Sequence, residues 1–299
     1  MTIMKLRLGV RGMMWLTLVI MMWGIISCRT QEEKRLEEVL SLPLANKEEL
    51  QKVLDHYKDD SLKYQAVCFL IRNMPFHAGY EGNALKHYYQ YFDIYAQGKL
   101  GPHEVIDSLK ENSFSVSQLK RIEDIANIDS SLLVQNVDWA FKVWREQPWG
   151  KNVSFDNFCE FVLPYRLGDE PLGFWREDIY KRYNPILDSI RLLPQAQDPL
   201  VAAKVLMDSL VVEQSHFTGL FPAGPHLGPS VVSWRAGSCR EFADLVVYVM
   251  RALGIPCGTD YMAMRGDNNV PHFWNFTLDK DGKTYITEFP DPNWKRAVS

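Results

Sequence analysis

The chain opens with a stretch that cannot belong to a water-exposed fold. Lys5, Arg7 and Arg11 supply a positive start, and from Gly12 to Ser27 no residue is charged while Met, Leu, Val, Ile and Trp dominate. A basic head followed by a short apolar run has the form of a secretory signal, and the run is short for a comfortable membrane span. Residues 1–27 are therefore expected to be an export signal, and the folded part is expected to begin after them. Removing them takes away three basic residues and no acids, so the formal charge falls from −4 to −7. With no block of Lys and Arg anywhere, a nucleic-acid partner is not expected.

The apolar run ends Ile25-Ile26-Ser27-Cys28, which resembles a bacterial lipobox: branched apolar residues, a small residue, then the Cys that is acylated and becomes the first residue after cleavage. That resemblance implies lipidation at Cys28 and membrane attachment through the acyl chains alone, each buried CH2 contributing about 0.8 kcal/mol. The expected location is the bacterial membrane, outer rather than inner, with the folded part facing the periplasm or the surface. Four cysteines follow: Cys68, Cys159, Cys239 and Cys257. Cys68 within Val67-Cys68-Phe69 and Cys159 within Phe158-Cys159-Glu160-Phe161 read as buried thiols rather than bridge halves.

Periodicity divides the rest into two regions, 28–215 and 216–299. In the first, Asn46 precedes Lys47-Glu48-Glu49 as a helix cap, with Leu50, Val53 and Leu54 on one face. Asp60-Ser61 opens a second helix, and helical spacing recurs over 87–96, 103–111, 116–126, 131–146, 154–162 and 199–214. In the second region the texture turns to Gly, Pro and short apolar runs. One helix is expected over 238–253, with Phe242, Val246, Val249 and Leu253 on a stripe, stopped by Gly254 and Pro256. Strands are expected over 259–264, 270–278 and 283–289, the last two joined at Asp279-Lys280-Asp281-Gly282. The fold class is α+β: a helical first region, then a helix packed on a small antiparallel sheet.

Cys239 falls in the first turn of that helix, where unsatisfied backbone N–H groups favour the nucleophilic thiolate. His272 begins a strand downstream. A Cys at a helix start and a His on a strand nearby form the ion-pair arrangement of thiol hydrolases and acyltransferases, and the His needs a third group to hold its tautomer. The order Gly237-Ser238-Cys239-Arg240-Glu241-Phe242-Ala243-Asp244, then Arg251-Ala252-Leu253-Gly254-Ile255-Pro256, then His272-Phe273-Trp274-Asn275 resembles the transglutaminase-like branch of the papain-like cysteine superfamily. The resemblance covers about residues 230–290 and implies a Cys-His-acid triad acting on an amide of a peptide or protein substrate; the residues themselves, with no phosphate-cradling Gly loop, no redox Cys-x-x-Cys and no metal-ligand spacing, suggest no cofactor and no metal. Hydrolysis is expected ahead of cross-linking.

The family's acid is an Asp in an Asp-Pro phrase. At its offset this chain has Glu288, with Asp291-Pro292 slightly later. If Leu278 pairs with Lys283, Phe289 faces His272 and Glu288 points away. One residue more or less in the loop, or one bulge, reverses the faces and sets Glu288 opposite His272. Glu288 is the expected third member, with Asp291, Asn275 and Asp279 as alternatives. Trp234 is read as lining the cleft or as a loop anchor, and Trp274 as packing over the imidazole. Arg240 and Glu241 read as solvated. The Glu in place of Asp also leaves open a catalytically idle lipoprotein that binds peptides or glycans at the cell envelope.

Upstream, Ser154 to Arg166 with Glu170-Pro171 and Trp175-Arg176 resembles a segment that precedes this domain in exported proteins of Bacteroides-type bacteria. Arg166 and Glu170 read equally as cleft residues or as packing. No other His has a partner at metal-ligand spacing, and no acidic loop has calcium-binding spacing. A transglutaminase-like sheet ordinarily continues past its acid, so the short tail after Glu288 reads as a truncated end.

Overall fold

The computed structural model describes residues 31–266 and 269–297. Residues 1–27, expected as an export signal, and the expected lipidation site Cys28 lie outside them. The fold is mixed helix and sheet. Among the described residues no helix is long and apolar enough to cross a membrane.

Two buried clusters organise the chain. One gathers helices α1 (Lys47–His56), α2 (Ser61–Asn73), α4 (Ser130–Glu146) and α5 (Phe155–Phe161) around Leu50, Val67, Phe141 and Phe158. The expected caps hold these helices: Asn46 accepts from the Glu49 N–H and Asp60 from the Lys63 N–H. The second cluster joins α3 (Ala84–Ala96), α6 (Arg176–Tyr183), α7 (Pro199–Val212) and α8 (Cys239–Ala252). Tyr88, Leu206, Val246 and Phe289 all belong to it, so its packing runs straight across position 215.

Residues 116–126, expected as a helix, instead form a 3-10 turn at Val116–Gln118, strand β2 (Lys120–Glu123) and the short helix Asp124–Asn127. The local pattern is overridden because β1 (Ala78–Glu81) offers an antiparallel ladder, with Gly79 opposite Ile122. Strands β3 (His216–Phe217) and β4 (Ala236–Gly237) form a parallel bridge just before α8. The main sheet runs in the order β5 (Cys257–Met262), β6 (His272–Leu278), β7 (Thr284–Thr287) and β8 (Lys295–Arg296), all antiparallel.

The face of the sheet carrying Asn275 and Thr277 meets α8. Asn275, almost wholly buried, donates to the Ala243 carbonyl at 3.0 Å. Helix α8 is buried on every side from Glu241 to Ala252, well beyond the expected stripe. Gly254 stops it at φ +77°, where a side chain would crowd the Val143 carbonyl at 3.0 Å.

Arg176 ties the two clusters together. Wholly buried, it donates to the Val162, Leu163 and Pro164 carbonyls beyond α5, to Asn136 Oδ1 of α4, and to the Arg251 carbonyl of α8. No hydrocarbon side chain satisfies these acceptors. Arg176→Leu is expected to lower the unfolding free energy by about 3 kcal/mol, the scale of losing charged hydrogen bonds in the interior. Urea denaturation measures it; a midpoint within error of the unmodified chain refutes the clamp.

Candidate active site

The site begins at Gly237. Its φ is +137°, and a Cβ there would sit 2.5 Å from Glu241 Cγ, so glycine is what lets the chain turn into α8 against that side chain. The Gly237 carbonyl accepts from the Thr218 N–H at 2.7 Å, anchoring the turn. Ser238 is the N-cap: its hydroxyl accepts from the Arg240 N–H, and the Glu241 carboxylate takes both the Ser238 N–H and its hydroxyl. Cys239 is thereby fixed as the first helical residue, half-buried.

The solvated reading of Arg240 and Glu241 is corrected. Glu241 is buried, and Arg240 bonds Glu241 Oε1, the Gly224 carbonyl and the Tyr88 hydroxyl. The loop 221–229 and α3 cover this turn, which leaves the two charges paired with each other rather than with water.

Cys239, His272 and Glu288 line one cleft of about 440 Å³, together with Phe217, Arg265, Val270, Pro271, Phe289 and Pro290. His272 is the first residue of β6, and its Nε2 lies 2.8 Å from Glu288 Oε1. The imidazole is 16% exposed and the carboxylate 52%, so the acid sits at the wet rim. Leu278 pairs with Thr284, one residue beyond the Lys283 pairing. Continued outward, that register sets Glu288 across from Trp274, on the His272 face. It reaches the imidazole diagonally rather than from directly opposite.

The alternative acids lie elsewhere. Asp291 is exposed outside the cleft lining, Asn275 is buried against α8, and Asp279 accepts the N–H groups of Asp281 and Lys283 to shape the hairpin loop. Trp274 lies beside the imidazole, ring centroids 5.7 Å apart. Trp234 does not line the cleft; it stacks on Phe92 and meets Tyr89, anchoring the loop to α3.

A polar network beneath α8 was anticipated only at Arg166 and Glu170, through their packing alternative. His226 Nδ1 is 2.7 Å from Asp244 Oδ2, and its backbone N–H donates to Asp169. The Glu170 carboxylate accepts from Leu167 N–H, Gly168 N–H and the Tyr248 hydroxyl. Arg166 grips Asp124 with two nitrogens and donates to the Ala78, Gly168 and Glu170 carbonyls, so both Arg166 and Glu170 belong to the interior. The signal that could have found it is the spacing of Glu241, Asp244, Tyr248 and Arg251, a polar stripe at helical period that faces this network instead of solvent.

The four described cysteines are free. Burial pushes the Cys159 and Cys257 thiols up to about 12 and raises Cys68 as well. Among the described residues no cluster of His, Cys, Asp and Glu could hold a metal ion. No protein-family profile matches the chain, and no curated protein or solved structure matches it.

Burial works against a charged His226, but the adjacent Asp244 carboxylate outweighs it and raises the imidazole from 6.5 to about 9. A group raised on folding stabilises fully below its unfolded value and stops doing so as pH climbs through the folded one. Stability is therefore expected to fall between pH 6.5 and 9, by on the order of 2–3 kcal/mol. Urea unfolding at both pH values tests this. A flat profile, or an unchanged slope in His226→Gln, refutes it.

Proposed function

We propose that the chain is an exported, lipid-anchored cysteine hydrolase of transglutaminase-like fold that cleaves an amide of a peptide or protein substrate. The observation that carries this reading is the 2.8 Å contact between His272 and Glu288 at the cleft that Cys239 also lines. With Nε2–H donating to Glu288, the neutral imidazole keeps Nδ1 as its proton acceptor for the thiol. The Cys239 sulfur attacks the carbonyl carbon as His272 takes the thiol proton. The backbone N–H of Cys239, which at a helix start has no acceptor within its own helix, binds the developing oxyanion in this scheme. His272 then returns the proton to the departing amine, leaving a thioester. Water, deprotonated by the same imidazole, resolves the thioester to a carboxylic acid and restores the thiol. Glu288 orients the ring, the role an Asp takes in the resembled family.

Iodoacetamide separates an activated thiol from an inert one. At pH 6–8 Cys239 should be alkylated while Cys68, Cys159 and Cys257, buried and raised, are spared. His272→Ala should slow Cys239 labelling at pH 6.5 about tenfold or more, the usual scale for loss of a positioned base. Peptide mass spectrometry reads both. Equal labelling of all four thiols, or a rate indifferent to His272, sinks the enzyme reading.

Membrane attachment is tested separately in cells by fractionation. Cys28→Ala should shift the chain from the membrane to the soluble fraction and abolish incorporation of labelled palmitate; persistence in the membrane argues against the lipid anchor.

A further inference from the structure

The walls of the cleft carry more information than its catalytic groups. Phe242, one helical turn beyond Cys239, is stacked nearly parallel with Phe289 at 4.8 Å and with Phe217 at 6.2 Å. Phe217 and Phe289 both line the cleft, so its apolar walls are fixed to the same helix that holds the sulfur. Pro271, Pro290 and Val270 complete the apolar lining; of the charged lining residues Glu288 is engaged by His272, and Arg265 borders the same cleft.

The apolar surface continues onto the rim. Phe217 is 62% exposed and Val270 49%, while Met262, paired with His272 across β5 and β6, is 42% exposed. A run of exposed carbon beside a preformed cavity marks a place where apolar ligand surface is covered. The volume, about 440 Å³, is of the size that takes a large side chain together with its backbone.

We propose that this cleft selects acyl donors bearing a bulky apolar side chain on the residue that supplies the reacting carbonyl or on the one before it. The proposal rests on the acyl-transfer reading above. The acyl side is the one assigned because it alone stays attached to Cys239 through both half-reactions, so contacts made there act on thioester formation and on its hydrolysis.

Three peptidyl chloromethyl ketones test it, the Cys239 sulfur bonding the methylene carbon of each as chloride leaves to solvent: acetyl-Phe-Gly, acetyl-Gly-Phe and acetyl-Gly-Gly. Rates of Cys239 labelling are measured on the full chain and normalised to each probe's reaction with free glutathione. One of the Phe probes should label about tenfold or more faster than the Gly-Gly probe, the usual worth of a large hydrophobic group entering an apolar pocket. In Phe217→Ala that ratio should fall toward unity. Equal rates for the three probes, with labelling still dependent on His272, overturn the apolar preference and leave the hydrolase reading standing. A ratio that persists in Phe217→Ala and in Val270→Asp overturns it too, since the selectivity then arises outside this wall. Labelling indifferent to His272 with every probe overturns both.

Discussion

The carboxylate of Glu241 is the point on which the cleft depends. It takes the N–H and hydroxyl of Ser238 and the guanidinium of Arg240, and so fixes the first turn of α8 and the residue Cys239 within it. Burying a carboxylate is costly unless its oxygens are filled, and here they are. The same ion pair reaches outward through Arg240 to the Gly224 carbonyl and Tyr88, binding loop 221–229 and α3 to the turn that carries the sulfur. Gly237 is the complement on the backbone side: with no Cβ, it makes room for the Glu241 side chain.

Beneath that turn one buried side of α8 is polar, though most of its interior is apolar. Asp244 with His226, Tyr248 with Glu170, and Arg251 with the Phe161 and Cys257 carbonyls form successive layers along one side. Each layer joins α8 to a segment distant in sequence, and each is satisfied by direct hydrogen bonds. Such networks specify a single arrangement of the elements they join, because a partly filled alternative strands a buried charge. The other side of the helix is conventional packing against the sheet, where Asn275 adds one directional contact to Ala243.

The parts legible in the sequence were those fixed by local chemistry. The caps at Asn46 and Asp60, the Ser238 start, the Gly254 stop and the three strands each announced themselves through turn and capping residues. The hairpin register was narrowed to alternatives, and loop length chose among them: Asp279 folds back on Lys283 and adds a residue to the turn. What stayed hidden depended on partners far along the chain. β2 exists because β1 lies beside it, and Arg240 and Glu241 are buried because loop 221–229 closes over them. A polar stripe on a helix reads as a wet face until the residues that cover it are known; Glu170 was legible only as cleft or packing, and His226 gave no local sign that it would cover the stripe. Trp234 shows the same limit, its place decided by Phe92.

The packing that runs across position 215 bears on how such a chain can change over generations. A catalytic segment with its own closed interior can be shuffled, duplicated or fused as a cassette. Here the helix carrying Cys239 completes its interior only with Tyr88, Ile179 and Leu206, supplied by earlier helices, and Arg176 fastens that assembly to a second cluster. The helical portion and the cysteine-bearing portion therefore share one interior and pack as one piece. A change at the cleft wall is felt in the same interior, because Phe289 and Phe217 both stack on Phe242 of α8.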